Sequence, residues 1–130
     1  QCIGAERLML VTDAMAHVGS ELQTLAWLNS TITKTAGKLT LDDGSLAGSC
    51  LDMSSAVRNM YSLLKQHTRW TDANDLLGDV LNMASQVPAH LLGIQDRGKL
   101  LSGNKADFVL LDDDMRIKGC WIHGEQVSGN

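Results

Sequence analysis

Cysteine is scarce in this sequence, and its distribution excludes two common structural roles. The chain has three cysteines, Cys2, Cys50 and Cys120, and no Cys-x-x-Cys spacing joins any of them. A disulfide framework uses an even number of cysteines, and a zinc knuckle uses closely spaced pairs. We therefore expect reduced thiols with structural roles.

Two further absences limit the partners of the chain. The formal net charge is -4, and the lysines and arginines are scattered, so the sequence predicts no basic surface for nucleic acid. No apolar run approaches the roughly 20 residues that cross a bilayer. Residues 1–7 also lack the basic start of a signal peptide. The sequence thus predicts no nucleic-acid partner, no membrane partner and a cytoplasmic location.

An apolar run followed by an acidic residue is the most informative feature that is present. The side chains of Leu8–Val11 are all apolar, and the run ends in Thr12 and Asp13. Such a run predicts a buried strand that delivers one carboxylate to its C-terminal end, where parallel α/β enzymes place their chemistry. Asp13 is therefore a candidate for proton transfer. The alternative is that it only caps the segment that follows.

Periodicity along the chain predicts an α/β protein. Residues 16–29 have no clear period and predict a long loop over the end of the first strand. Ala36 and Gly37 separate two β-rich segments and predict a hairpin. The other predicted elements are a helix over Met53–Leu64 capped by Ser49 or Asp52, a helix over Asp75–Ser85 with Thr71 or Asp72 near its start, a short helix over Pro88–Leu92 capped by Gly93, strands over Asp107–Leu111 and Ile117–Ile122, and a turn at His123-Gly124.

Several short motifs together make the chain similar to a known family. They are Thr12-Asp13-Ala14-Met15, Leu46-Ala47-Gly48-Ser49, Arg58-Asn59, Met83-Ala84-Ser85, Pro88-Ala89, Leu92-Gly93, Gly103-Asn104-Lys105-Ala106-Asp107 and Gly124-Glu125. The Pro-Ala, Leu-Gly and Gly-x-x-Ala-Asp signals are similar to the C-terminal end of many amidohydrolases. The first three motifs narrow the resemblance, so the chain resembles the N-acetylglucosamine-6-phosphate deacetylases over nearly its whole length.

The resemblance implies an α/β fold. It is the C-terminal portion of a (β/α)8 amidohydrolase barrel, joined to the C-terminal strands of a small β-sandwich. A complete barrel needs about 250 residues, so we expect a chain of 130 residues to be a C-terminal piece. In this interpretation residues 1–96 contain the last barrel strand and the helices after it, and residues 97–130 contain the sandwich strands.

The same resemblance implies a catalytic role for one residue and a metal held elsewhere. Asp13 matches an aspartate that acts as general acid and base beside a divalent metal, which we expect to be zinc. The family's metal ligands are a glutamate and histidines from earlier barrel strands. This sequence has no His-x-His, and its histidines, at positions 17, 67, 90 and 123, match none of those ligands. The main ligands are therefore expected outside this chain.

Substrate contacts are implied for one segment. Leu46, Ala47 and Gly48 match a segment of small residues whose backbone approaches the sugar closely. The alternative is a plain turn that leads into a helix cap. Arg58-Asn59 either supports this segment or lies on a solvated helix face. His17 replaces a proline often found at this point in the family, which leaves both a substrate contact and a structural role open.

The function that the resemblance implies is hydrolysis of the acetamide of N-acetylglucosamine 6-phosphate, giving glucosamine 6-phosphate and acetate. The complete enzyme is expected to be a homodimer, and the isolated chain is expected to be inactive. Two alternatives stay open. One is a catalytically inactive C-terminal remnant that exposes unpaired strand edges and apolar surface. The other is an amidohydrolase that acts on a different acetylated amino sugar.

Overall fold

The chain folds into a mixed α/β structure with two antiparallel sheets. The computed structural model describes residues 4–66 and 72–129, so the predictions for Cys2, His67 and Thr71 lie outside the described residues. After a short 3-10 helix at Ala5–Arg7, the elements are β1 (Thr24–Trp27), β2 (Ser30–Thr35), β3 (Lys38–Thr40), β4 (Leu46–Ser49), α1 (Met53–Leu64), α2 (Ala73–Ala84), α3 (Gln86–Leu91), β5 (Phe108–Leu111), β6 (Ile117–Ile122) and β7 (Glu125–Gly129).

Contacts between residues divide the chain into two compact units. The smaller unit is Val11–Met53, and the larger unit contains the described residues of 1–10 and 54–130. Each unit holds one of the two sheets. The predicted boundary between residues 96 and 97 concerns the longer enzyme and stays a prediction.

The sheet of the smaller unit has the order β1-β2-β3-β4, and every neighbouring pair is antiparallel. Thr35 pairs with Lys38, so Ala36 and Gly37 form the turn of the predicted hairpin. Their φ angles are 49° and 79°, and a type I′ turn requires positive φ at both positions. The hairpin prediction is therefore confirmed. Strand β1 lies within the segment that we predicted to be a loop, because its short apolar stretch has no clear alternation.

Leu46–Ser49 is a strand, so the alternative of a plain turn at this segment is wrong. Thr40 pairs with Leu46 and Lys38 pairs with Ser49, which leaves one extra residue on β4 and forms a bulge. Leu46–Ser49 becomes a strand because the edge of β3 offers it hydrogen-bond partners, and no local sequence signal reveals this pairing. Helix α1 then begins at Met53, directly after Asp52, so Ser49 is too far from the helix to be its cap.

Apolar packing between helices organises the larger unit. Val57 of α1 and Leu76 and Val80 of α2 form a buried cluster. These positions lie at helical spacing, as the sequence predicted. Helix α2 begins at Ala73 because the carboxylate of Asp72 accepts a hydrogen bond from the Asn74 backbone N at 2.7 Å. The predicted helices are thus confirmed, with ends that shift by a few residues. The described helices include none that is long and apolar enough to span a bilayer.

The predicted buried strand at Leu8–Val11 is wrong. The structure has no strand there, and Leu8, Met9 and Val11 are 40%, 43% and 69% exposed. A strand exists only where a neighbouring strand accepts its hydrogen bonds. Here the Leu10 backbone N donates instead to the Met83 carbonyl in α2, at 2.9 Å. An apolar run predicts burial, but it does not show whether a neighbouring strand is present to pair with it.

The second sheet has the order β5-β6-β7, again with antiparallel neighbours. Phe108 stacks on Trp121, with ring centroids 4.8 Å apart. His123 and Gly124 have φ angles of 52° and 80° and form the turn between β6 and β7. The strands and the turn predicted for this part of the chain are therefore confirmed.

Candidate functional site

Asp13 follows Leu8–Thr12, which has no regular secondary structure, and it has an unusual backbone conformation. Its φ angle is 51°, in the left-handed region that few residues other than glycine adopt. Its residue is exposed to solvent, and its carboxylate makes no hydrogen bond with the described residues. The described part of the chain therefore gives no support to a capping role. An exposed carboxylate held in a strained conformation is a reason to consider function.

Strand β4 holds the backbone on both sides of Asp13. The Ser49 backbone N donates to the Asp13 carbonyl at 2.8 Å, and the Met15 backbone N donates to the Ser49 carbonyl at 3.0 Å. These bonds form a parallel bridge between Ala14 and Ser49. The Ser49 hydroxyl also donates to the Thr12 carbonyl at 2.6 Å. The fold thus brings together two motifs that are far apart in the sequence.

Gly48 is the point of closest approach between the two motifs. Its φ angle is +104°, and a Cβ atom built there would lie 2.7 Å from the Met15 Cγ and 3.1 Å from the Asp13 carbonyl O. A side chain at this position would therefore collide with its neighbours as well as strain the backbone. On the same strand the Leu46 side chain is 72% exposed, and Ala47 is half-buried. A role of Leu46, Ala47 and Gly48 in substrate binding stays a prediction.

His17 is buried, which removes it from direct contact with a substrate that approaches through solvent. It is 1% exposed, and neither ring nitrogen has a hydrogen-bond partner among the described residues. A buried polar group without a partner lowers stability, since it loses its hydrogen bonds to water on folding. The sequence offered no signal for this burial, because His17 stands in a loop without periodicity.

Arg58 contacts neither Leu46–Gly48 nor solvent alone, and so follows neither of the two interpretations that the sequence left open. Its guanidinium donates to the Ser54 hydroxyl, to the Ser55 hydroxyl at 2.7 Å and to the Met115 carbonyl at 3.2 Å. Met115 has a φ angle of 57°, so Arg58 ties helix α1 to a strained turn between β5 and β6. Asn59 is exposed, in agreement with the solvated face that was the other interpretation.

The Gly-x-x-Ala-Asp motif ends in a carboxylate with a structural role. Asp107 Oδ1 accepts a hydrogen bond from the His123 backbone N at 2.8 Å, and Arg97 Nε lies 3.5 Å from Asp107 Oδ2. The hydrogen bond from His123 lowers the pKa of Asp107, and the positive charges of Arg97, His123 and Lys105 lower it further. The motif therefore holds the β6–β7 turn in place.

Metal binding finds little support in the part of the chain that the structure describes. Residues 4–66 and 72–129 contain no group of three histidine, cysteine, aspartate or glutamate side chains that could hold a metal ion. A pocket of about 100 Å³ in the larger unit is lined in part by Glu6, Asp79 and His90. None of the predicted site residues lines this pocket, so it gives no support to the predicted chemistry.

Comparison with known proteins shows which family this chain is similar to. The model of the "Amidohydrolase family" matches residues 6–127. An N-acetylgalactosamine-6-phosphate deacetylase from Shewanella sp. (strain ANA-3) is 39% identical over 122 residues, which cover 94% of this chain and 29% of that relative. A putative N-acetylgalactosamine-6-phosphate deacetylase from Escherichia coli (strain K12) is 34% identical over 128 residues, which cover 98% of this chain and 71% of that relative.

A solved structure agrees with the same context. It is a mutant of the N-acetyl-D-glucosamine-6-phosphate deacetylase from Mycobacterium smegmatis, in complex with N-acetyl-D-glucosamine-6-phosphate. It aligns with a TM-score of 0.82 at 30% identity, over 95% of this chain and 31% of that chain. The alignment confirms the α/β fold of a C-terminal amidohydrolase portion. The chain spans less than a third of the length of this structure.

Proposed function

The chain belongs to the amidohydrolase family, and from this membership we propose that it is the C-terminal portion of a deacetylase for an N-acetylhexosamine 6-phosphate. The complete enzyme would hydrolyse the acetamide of N-acetylglucosamine 6-phosphate to glucosamine 6-phosphate and acetate. The observation that carries the proposal is the hydrogen bonding of the Asp13 backbone to strand β4, which also holds Leu46–Gly48.

Asp13 is the proton-transfer group of the proposed reaction. Amide hydrolysis requires a base that takes a proton from the attacking water and an acid that returns one to the leaving nitrogen. One carboxylate performs both steps in sequence. The exposed position of Asp13 suits this role, because its carboxylate is free to meet a water and an acetamide. Leu46–Gly48 lies on the strand that bonds to the Asp13 backbone, and we assign the sugar contacts of the proposed reaction to this segment.

The described residues alone do not fit a metal site, since they contain no group of three suitable ligands. The proposal therefore keeps the divalent metal, zinc, on ligands outside this chain, within a complete (β/α)8 barrel. A homodimer and a cytoplasmic location belong to the same proposal and rest on the sequence resemblance. We expect the isolated chain to bind no stoichiometric zinc and to release no acetate from sugar phosphates.

The galactose epimer is a second candidate substrate. Relatives that are 39% and 34% identical are named for N-acetylgalactosamine 6-phosphate. The structural neighbour in complex with N-acetyl-D-glucosamine-6-phosphate supports the glucose epimer. The two sugars differ only in the orientation of one hydroxyl, so the choice between them depends on a few polar contacts.

A chimera tests the proposal directly. The 122-residue matching segment of the Shewanella relative would be replaced by this chain, and acetate release would be measured on both 6-phosphates and on both unphosphorylated sugars. We expect acetate release from at least one 6-phosphate and much less from the unphosphorylated sugars. The ratio of the two epimer rates, compared with that of the unaltered relative, reports how this chain affects specificity. A chimera that folds, as judged by circular dichroism, and binds metal but releases no acetate would contradict the proposal.

A further inference from the structure

The hydroxyl of Ser49 forms hydrogen bonds with two backbone groups from separate parts of the chain. It donates to the Thr12 carbonyl at 2.6 Å and accepts from the Leu51 backbone N at 2.9 Å. The backbone of Ser49 adds its bonds to the Asp13 carbonyl and the Met15 amide. A single residue of β4 therefore contacts the chain before, at and after Asp13.

These bonds fix the direction in which the Asp13 side chain leaves the backbone. The direction of a Cα–Cβ bond follows from the backbone dihedrals, and Asp13 has a φ angle of 51° that costs energy in a non-glycine residue. Such a conformation persists only where the surroundings hold it. Ser49 holds the peptide groups on both sides of Asp13, and Gly48 lets β4 approach closely enough for these bonds to form.

We propose that Ser49 is a positioning residue for Asp13, and that its hydroxyl sets the carboxylate relative to the Leu46–Gly48 segment. The inference rests on the proposed function, in which Asp13 transfers protons. The backbone bonds of Ser49 survive any substitution that keeps the strand, whereas the bond to the Thr12 carbonyl requires a side-chain hydroxyl. A substitution can therefore remove the hydrogen bonds of the hydroxyl while it keeps the backbone hydrogen bonds of Ser49.

Three variants separate this role from a general effect on stability. Ser49→Ala removes the hydroxyl, and Ser49→Thr keeps it in a residue that suits a strand. Ser30→Ala is the matched control, because the Ser30 hydroxyl lies in the same unit and donates to Asp42 Oδ2 at 3.0 Å, away from the bonds around Asp13.

The first measurement is amide hydrogen exchange in the 130-residue chain. Removing one hydrogen bond from a small network should lower the protection of the Met15 and Ser49 amides about 3- to 10-fold in Ser49→Ala. Ser49→Thr and Ser30→Ala should leave the protection of these two amides unchanged. Unchanged protection in Ser49→Ala would overturn the inference.

The second measurement is steady-state kinetics of the same variants in the chimera. A displaced carboxylate misses the reacting atoms, so kcat should fall about 10- to 100-fold in Ser49→Ala, while KM changes little. Ser49→Thr should restore kcat, and Ser30→Ala should keep it. A kcat in Ser49→Ala equal to that of the parent chimera would overturn the inference. If the parent chimera is inactive, the proposed function fails, and the exchange result alone then decides whether Ser49 holds Asp13.

Discussion

The two units of the chain differ in what they bury. Among the described residues of the larger unit, the buried hydrophobic side chains are those of Ala5, Ala56, Val57, Leu76, Val80 and Met83. In the smaller unit the fully buried side chains are those of Ile32, Leu39 and His17, and neither nitrogen of His17 has a partner among the described residues. The larger unit therefore has an apolar interior, whereas the smaller unit buries a polar ring.

The candidate site therefore lies in the unit that buries a polar side chain without a hydrogen-bond partner among the described residues. Backbone hydrogen bonds, a bulge, the strained backbone of Asp13 and the close approach of β4 at Gly48 shape the smaller unit around the site. Functional sites are where proteins retain strain and unsatisfied groups that reduce stability. We therefore expect substitutions in the smaller unit to affect activity strongly, and substitutions in the larger unit to affect stability.

The largest expected effect is on activity, in the smaller unit. Asp13→Asn removes the proton-transfer group and keeps the size of the side chain, so turnover in the chimera should fall about 10²- to 10⁴-fold. Steady-state rates of acetate release measure this loss. Asp43→Asn is the matched control, since Asp43 is exposed in the same unit and bonds only within its own turn, to Ser45. Near-normal turnover in Asp13→Asn would remove Asp13 from the mechanism.

The next effect is on stability, in the larger unit. Leu76→Ala leaves a cavity in the cluster with Val57 and Val80, and it should lower the free energy of unfolding by about 2–5 kcal/mol. Urea unfolding followed by circular dichroism measures the change. Leu63→Ala on helix α1 is the control, because Leu63 is 56% exposed and should cost little. Equal losses in the two variants would mean that the cluster does not stabilise the unit.

The third effect is on the stability of the smaller unit, where two glycine substitutions separate the cost of a steric clash from the cost of backbone strain. Gly48→Ala places a Cβ 2.7 Å from the Met15 Cγ at a φ angle of +104°, and it should lower the free energy of unfolding by about 2–3 kcal/mol. Gly44→Ala has a positive φ of +82° but meets no atom within 4 Å, so it should cost only about 1 kcal/mol. Urea unfolding of both variants gives the difference. Equal costs would show that Met15 moves aside freely.

The sequence predicted the helices, the β2–β3 hairpin and strands β5 and β6, but it missed β1 and the contacts that shape the site. The helices followed from apolar residues at helical spacing, and the β2–β3 turn followed from Ala36-Gly37. The pairing of β4 with β3 depends on hydrogen bonds between distant segments, which local preference does not encode. For the same reason the bonds between Ser49 and the residues around Asp13 were not predicted. The exposure of Leu8, Met9 and Val11 shows the opposite failure, since an apolar run predicted burial that the fold does not provide for these three side chains.

A still smaller effect should have the opposite sign. His17→Leu replaces a buried ring that has no hydrogen-bond partner among the described residues with an apolar side chain of similar size. Because no buried polar group is then left unsatisfied, the free energy of unfolding should rise by about 1–2 kcal/mol. Urea unfolding measures the gain, and His90→Leu on the exposed face of α3 is the control with little change. A loss of stability in His17→Leu would show that the ring makes a favourable polar interaction and would weaken the contrast between the units.

The smallest effect is a pH dependence in the larger unit. The hydrogen bond from the His123 backbone N, aided by the charge of Arg97, lowers the pKa of Asp107 in the folded state. A folded-state pKa below the unfolded value means that the ionised carboxylate stabilises the fold. This stabilisation is complete above the unfolded-state pKa, near pH 4, and is lost as the pH falls through the folded-state pKa.

Urea unfolding between about pH 2 and pH 6 should therefore show a flatter pH profile for Asp107→Asn than for the parent chain. Arg97→Gln should flatten the profile partly, since it removes the charge and leaves the hydrogen bond from His123. Parallel profiles for all three chains would mean that Asp107 holds the β6–β7 turn without contributing through its charge.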